Sequence, residues 1–194
     1  FDAEGNKVSC AYPDFSGTRT LAYVPDELDR VRSISEGGNT LATWHYKGPG
    51  RVERRTYGND ASPISKLDMA YDARPWAIDM NHRTGANALI ADFQYGHDRG
   101  GHRLFEKRLH EGNTGEVYAP DSLYRLASTL QGVDLGAVSP GQEIQPEGFS
   151  APNGLGWAYD GAGNRNTSTK TVSGVPTTTS YTRNAAIPPS DAQV

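Results

Sequence analysis

The chain has 194 residues, of which 36% are hydrophobic, and it contains 22 Gly and 12 Pro. This low apolar content with many turn residues argues against a thick globular core and fits a thin-walled sheet, and no apolar run is long enough to predict a membrane span. The formal net charge of −4, with basic residues spread along the chain, argues against a nucleic-acid-binding surface.

An aromatic residue recurs along the chain and is often followed by Asp, Gly and a basic residue. Successive aromatic residues are separated by 22, 23, 25, 24, 23, 41 and 22 residues. A period of this length indicates one small supersecondary unit that is repeated, each copy packing against its neighbours. The eight anchors of the repeat are Phe1, Tyr23, Tyr46, Tyr71, Tyr95, Tyr118, Tyr159 and Tyr181.

The first and seventh copies show the turn of the unit best. Residues 1–7 (FDAEGNK) and 159–165 (YDGAGNR) match almost residue for residue. Asp beside the aromatic residue can accept hydrogen bonds from backbone amides two residues on, and Gly three positions later takes positive φ without steric cost. We therefore predict a tight turn here, with structural residues Asp2, Gly5, Asp72, Asp160, Gly163 and Arg165.

The residues that flank each turn alternate in character. Trp44, His45 and Tyr46 show the two-residue period of a strand with one aromatic face. Segments 30–34 and 103–107 alternate in the same way and are interpreted as return strands. Each period therefore predicts two strands and two turns, which about 22 residues accommodate.

Three copies depart from the regular unit. Tyr23 and Tyr118 are followed by Asp only after two further residues, which predicts a two-residue insertion before Asp26 and before Asp121. Arg and Pro replace the expected Gly and Arg at 74–75. The single long interval predicts a surface loop at 136–152. The predicted repeat array spans 1–184, and a Pro-containing tail or the start of a further segment follows at 185–194.

The eight phased copies resemble the RHS/YD-repeat family. The resemblance rests on Tyr71-Asp72, on Tyr159-Asp160 with Gly163 and Arg165, and on the opening copy, and it covers 1–184. Members include bacterial RHS toxins, wall-associated proteins, cages of insecticidal toxin complexes and the teneurin YD shell. The resemblance implies an all-β fold in which tandem hairpins join into one continuous antiparallel sheet that winds as a spiral.

The role that the resemblance implies is structural, with no enzymatic activity and no cofactor. The expected partners are neighbouring repeats of a longer chain or other copies of this chain, with glycans or an enclosed cargo as further candidates. Members are typically exported, so we expect an extracellular or bacterial cell-surface location. Asn166 begins an Asn-Thr-Ser glycosylation sequon, and the chain opens inside a repeat, so it is expected to be a piece of a longer polypeptide.

Two other functions are considered beside the shell segment. An open sheet exposes two edges, and pairing of unlike edges between copies would give a head-to-tail fibre. The aromatic stripe, with Trp44, Trp76 and Trp157, could instead stack on sugars in a carbohydrate-binding module.

Catalytic and metal-binding patterns were compared with the repeat. His97, Asp98, His102 and His110 could form a metal cluster, but the first three lie at turn positions and are interpreted as turn residues. Residues 160–164 resemble a calcium loop without its closing acidic residue. Toxin-bearing members of the family end their repeats at an Asp-Pro-x-Gly motif that the sequence does not contain. We therefore predict no catalytic, cofactor-binding or metal residues.

Overall fold

The computed structural model describes residues 1–15 and 17–181, so the predicted tail at 185–194 lies outside the described residues. Within them the chain forms fourteen antiparallel strands in one open sheet, and every strand pairs with its neighbours in sequence. The prediction of an all-β fold built as a continuous antiparallel sheet is confirmed.

The elements follow one another as a meander with short connections. The strands are β1 (Ser9–Asp14), β2 (Gly17–Pro25), β3 (Val31–Glu36), β4 (Asn39–Lys47), β5 (Arg51–Asn59), β6 (Ser62–Tyr71), β7 (Ala77–Thr84), β8 (Leu89–His97), β9 (Arg103–Arg108), β10 (Thr114–Pro120), β11 (Leu126–Asp134), β12 (Asn153–Tyr159), β13 (Arg165–Val172) and β14 (Val175–Ser180). Short 3-10 helices span Leu109–Glu111 and Pro146–Gly148. Neither of these helices has the length or apolar character to cross a membrane.

Six turns, from the one between β2 and β3 onward, are each followed by a β-bulge at the same place. In the second hairpin Pro25 pairs with Val31 while Val24 pairs with Ser33, so one residue is left over. A bulge bends its strand and increases the local twist, so the bulges at these six hairpins bend the sheet in a repeated way. The bulged residues are Arg32, Glu53, Ile78, Leu104, Ala127 and Asn166.

The largest buried cluster lies where residues 135–152, here called the covering loop, pack on one face of the sheet. Leu135, Val138 and Ile144 of this loop are buried with Phe105 and Val117 of β9 and β10. The segment predicted as a surface loop, 136–152, contains no strand and is mostly exposed, and a few buried apolar side chains anchor it to the sheet. Its apolar side chains cover strands that would otherwise expose theirs to water.

Glycines on the sheet let the covering loop approach closely. A Cβ on Gly96 would lie 2.2 Å from the Phe105 ring and 2.4 Å from the Gln142 carbonyl oxygen. The loop is also held by polar bonds, because Lys107 Nζ donates to the Val138 carbonyl at 2.8 Å. These contacts fix the loop over β8, β9 and β10.

Candidate functional site

The site that recurs along the molecule is a row of turns at one end of the strands. Consecutive antiparallel strands place alternate connections at opposite strand ends, so every second turn lies on the same side of the sheet. We call this set the turn row, and it consists of residues 2–6, 26–30, 47–51, 72–76, 98–102, 121–125 and 160–164.

The turn at 160–164 shows how the sequence closes the regular members of the row, which begin with Asp. Asp160 N donates to the Asn164 carbonyl at 2.8 Å, and Gly163 N donates to the Asp160 carbonyl at 3.0 Å. The Asp160 carboxylate accepts from Ala162 N at 2.9 Å and Asn164 N at 2.8 Å. Gly163 has φ of +85°, which L side chains rarely adopt. The turn therefore depends on Asp at its first position and on positive φ at its fourth.

The turn at 26–30 forms the same bonds without a glycine. Asp26 Oδ1 accepts from Leu28 N at 2.9 Å and Arg30 N at 3.0 Å, and Asp29 N donates to the Asp26 carbonyl at 3.1 Å. Asp29 takes a φ of 59° in the place of Gly163. The turn at 121–125 follows this pattern with Tyr124 at a φ of 60°. Asp can adopt left-handed backbone more readily than most residues, whereas Tyr at this position is unusual.

The insertions predicted before Asp26 and Asp121 are therefore wrong. Pro25 pairs with Val31 as Tyr159 pairs with Arg165, so Pro25 occupies the place of Tyr159 beside the turn. Tyr23 lies two residues further along the same strand. Residues two apart share a face, so the shift moves the ring along the strand and keeps it on the same side.

Six anchors lie on one face of the sheet, which we call the tyrosine face. Tyr118, Thr129 and Leu155 lie opposite one another on three strands, which illustrates how the register aligns this face. The rings directly beside a turn are Tyr46, Tyr71 and Tyr159, and those two residues away are Tyr23, Tyr95 and Tyr118. At the two ends of the described chain, Phe1 and Tyr181 are exposed.

Each tyrosine beside a turn ties its hairpin to the preceding one. Its hydroxyl donates to the backbone carbonyl of the first residue after the preceding turn, at 2.8 to 2.9 Å. The pairs are Tyr46 with Val31, Tyr71 with Val52, and Tyr159 with Leu126. Because the acceptor is a backbone atom, the bond constrains the path of the chain as it leaves the turn.

An arginine at the last position of a turn covers the next tyrosine. The Arg30 guanidinium lies 4.1 Å from the centre of the Tyr46 ring, and its Nη1 donates to the Gly48 carbonyl at 2.6 Å. Arg125 lies 4.5 Å from the Tyr159 ring in the same way. A cation over an aromatic face adds about 0.5–1 kcal/mol at exposed sites.

Contacts of this kind join each turn of the row to the next. Five of the six neighbouring pairs are joined by a hydrogen bond of 2.6 to 3.5 Å, and the sixth by stacked rings 4.4 Å apart. The joining pairs are Asn6–Asp29, Arg30–Gly48, Arg51–Arg74, Arg74–Asp98, His102–Tyr124 and Arg125–Asp160. The turn row is thus one connected set of contacts that crosses the sheet at one end of its strands.

The electrostatics of the row favour ionised aspartates. The side-chain hydrogen bond from Arg30 is the main cause that lowers the pKa of Asp26 to about 2. At Asp121 burial acts to raise the pKa, but hydrogen bonds from the Arg125 backbone and side chain outweigh it and lower the pKa. On the tyrosine face, burial and the nearby Glu116 carboxylate raise the pKa of Tyr118 to about 12.

The other residues that the sequence analysis singled out are Asp72, Asn166 and Arg165. Asp72 N donates to the Trp76 carbonyl at 3.2 Å, so the turn forms although Pro75 stands in the place of Gly163. Asn166, the candidate for glycosylation, is an exposed bulged residue whose carbonyl accepts from Tyr181 N at 2.8 Å. Arg165 is exposed and lies 5.7 Å from the Trp157 ring.

The histidines considered as metal ligands have separate partners. His102 Nδ1 lies 2.9 Å from Asp98 Oδ2 and belongs to the turn row. His97 lies 5.6 Å from Trp76 between ring centres, and burial lowers its pKa. His110 lies instead against Phe93. Within 1–15 and 17–181, no three His, Cys, Asp or Glu side chains come together as a metal-binding group.

Some of these contacts were not predicted from the sequence. Basic residues near each turn were recognised, but the roles of Arg30, Arg51 and Arg125 as covers for the next tyrosine were not. Arg51 lies 5.4 Å from the centre of the Tyr71 ring. An Arg at the last position of the turn that precedes each Tyr beside a turn is the signal that could have revealed them.

Solved structures that resemble this fold come from Tc toxin assemblies. A crystal structure of TcdB2-TccC3-TEV matches 93% of this chain and 9% of its own, at 16% identity and a TM-score of 0.66. A Tc holotoxin pore from Photorhabdus luminescens matches 93% of this chain and 9% of its own, at 17% identity and a TM-score of 0.64. At such identities the likeness shows the fold, and the chain spans about a tenth of either protein's length. No protein-family model and no curated protein sequence matches the chain.

Proposed function

We propose that the chain is a structural, non-catalytic segment of an RHS/YD-repeat surface or secreted protein, and that its sheet forms part of a shell wall or scaffold. The turn row carries this proposal, because its members are joined from one end of the described sheet to the other. Bonds that repeat at every hairpin stabilise an extended wall, whereas a catalytic site needs a few groups that converge on one point.

The fold likeness supports a segment of something longer. The matching Tc toxin chains use about a tenth of their length for the part that resembles this chain. Within 1–15 and 17–181, the outermost strands β1 and β14 are mostly exposed and each pairs on one side only, which leaves their outer sides for further pairing. In the proposed wall these edges pair with neighbouring repeats, the wall winds around an enclosed space, and the protein acts outside the cell.

The same open edges support a fibre as the second candidate function. The two edge strands differ in sequence, so pairing between copies would be head to tail and would not close. Glycans are left out of the proposal, because Arg74 and Arg165 lie 4.3 and 5.7 Å from the ring centres of Trp76 and Trp157. Each guanidinium group lies over one face of its indole ring, which leaves less ring surface on which a sugar could stack.

Limited proteolysis of the native parent polypeptide tests the proposal that this chain is one segment of a longer sheet. The expected result is a protease-resistant fragment clearly longer than this chain, because neighbouring hairpins protect β1 and β14. A resistant core no longer than these 194 residues would contradict a longer sheet. Light scattering of the isolated chain tests the fibre. Particles that grow in size with protein concentration would support a fibre, and a monodisperse monomer would exclude it.

A further inference from the structure

Four polar side chains form a patch on the face of the sheet opposite the tyrosines. Asp79 lies directly opposite Gln94, and Asn81 lies directly opposite Asp92, on the paired strands β7 and β8. Residues directly opposite one another and residues two apart share a face, so the four side chains are mutual neighbours. We call Asp79, Asn81, Asp92 and Gln94 the β7–β8 patch.

One oxygen of each carboxylate in the patch has a partner within it. Asn81 Nδ2 donates to Asp92 Oδ2, and Gln94 Nε2 donates to Asp79 Oδ2 at 3.4 Å. Asp92 is only 4% exposed, and Asp79 and Asn81 are half-buried. The two amide groups therefore orient the carboxylates and hold β7 and β8 together on this face.

The other carbonyl and carboxylate oxygens of Asp79, Asn81 and Asp92 are shielded from solvent and accept no hydrogen bond from the residues that the structure describes. These are the Oδ1 atoms of Asp79, Asn81 and Asp92. Leaving a buried polar atom without a partner costs about 1–3 kcal/mol, and more for a charged group. Three such atoms in neighbouring positions point to a positively charged ligand.

The charges around the patch do not supply that ligand. Burial and the neighbouring Asp92 carboxylate raise the pKa of Asp79, and the hydrogen bond from Gln94 and the charge of Arg83 oppose this rise with smaller effects. Lys107 lies opposite Gln94, but its ammonium donates to the covering loop at Val138. A proton shared between the carboxyl groups of Asp79 and Asp92 would satisfy two of the three oxygens and leave the Asn81 oxygen unpaired.

We propose that Asp79, Asn81 and Asp92 bind a Ca²⁺ ion through their Oδ1 atoms. Ca²⁺ is bound by carboxylate and amide oxygens in flexible geometry, with water completing its shell of six to eight ligands. Sulfur and imidazole ligands, which favour zinc and other transition metals, are not part of this patch. The ion joins β7 to β8 beside the covering loop, and this site is distinct from the turn row.

Calcium-dependent thermal unfolding of the whole chain tests this site. After chelation and dialysis, the midpoint of unfolding is measured with and without Ca²⁺ at about 1–5 mM, the range that fills weak extracellular sites. Asp92→Asn keeps the shape of the side chain and removes one ligand charge. Asp68→Asn is the matched control, because Asp68 lies opposite Asn81 but forms an ion pair with Arg54.

The expected result is a rise in the unfolding midpoint of the native chain on addition of Ca²⁺, as binding to the folded state alone requires. The rise should be retained in Asp68→Asn and lost in Asp92→Asn. The comparison is made within each variant, so a change in basal stability does not affect it. An equal rise with Mg²⁺ at the same ionic strength, or equal rises in all three proteins, would overturn the proposal.

An unfolding midpoint of the native chain that does not change on addition of Ca²⁺ would also overturn the proposal. If its midpoint then falls as the pH is raised from 5 to 8, a shared proton between Asp79 and Asp92 explains the patch instead. The sign follows because a carboxyl group with a raised pKa in the folded state stabilises below that pKa and loses this contribution as the pH rises through it.

Discussion

The hydroxyl of a tyrosine beside a turn makes a bond that can be tested by removing one atom. Tyr159→Phe keeps the ring under Arg125 and removes the bond to the Leu126 carbonyl. We expect a loss of about 0.5–1.5 kcal/mol in the free energy of unfolding, the usual net value of such a bond. Urea denaturation measures it. Tyr57→Phe is the control and should change little, because its ring is 44% exposed.

Positive φ at the fourth turn position is tested at Gly163. Gly163→Val forces a β-branched side chain into a φ of +85°, so we expect a loss of about 1–3 kcal/mol from backbone strain. The same substitution at Gly161 is the matched control, because a Cβ there meets nothing within 4 Å and the φ is not in the left-handed region. Equal thermal melting of the two variants would refute the assigned role of Gly163.

The ion pair of Asp26 and Arg30 predicts a pH dependence. The pKa of Asp26 is about 2 in the folded chain, mainly because of the Arg30 side chain, and about 3.9 in an unfolded chain. A lowered pKa gives stability that is present above the unfolded value and is lost as the pH falls through the folded value, here between about 4 and 2. NMR titration of the Asp26 carboxyl checks the pKa. A midpoint near 4 would contradict the pairing.

At the scale of the elements, the hairpins could be predicted from the sequence because their signals are local. Asp160 and Gly163 lie within one turn, and the alternation of Trp44, His45 and Tyr46 lies within one strand. The same reasoning failed at Asp29 and Tyr124, which adopt positive φ without being glycine. A rule based on residue type could not recognise those turns, so it placed an insertion where the strand simply continues.

The long interval predicted the position of the covering loop, but its packing on the sheet could not be predicted, because that burial depends on distant residues. Val138 and Ile144 have no strand or helix period, and they are buried by Phe105 about 35 residues earlier in the chain. The cross-strand patch around Asp92 was missed for a related reason. Its partner Asn81 is identified by the register of β7 on β8, which composition does not reveal.

Removal of the Phe105 side chain should loosen the covering loop more than the sheet. Phe105 is fully buried, so Phe105→Ala should cost about 3–5 kcal/mol. Hydrogen exchange should then increase first at 135–152, which has few backbone bonds of its own. Leu123→Ala is the control, since Leu123 is 66% exposed in a turn and should change little. Uniform exchange across the sheet would contradict a separate role for the loop.

At the scale of the whole molecule, the repeat predicted a continuous sheet, but it did not predict what pairs with the two edge strands. Turns joined by contacts to their neighbours extend from 2–6 to 160–164, and the edge strands β1 and β14 are mostly exposed. In the proposed function the sheet is completed by pairing at its edges, and the identity of the partner decides between a shell and a fibre.

Electron microscopy of the native parent polypeptide tests this account most directly. We predict discrete hollow particles, in which the hairpins of this chain form one stretch of a continuous wall. Long fibres with a regular axial repeat, or compact particles without an internal space, would contradict the proposed shell.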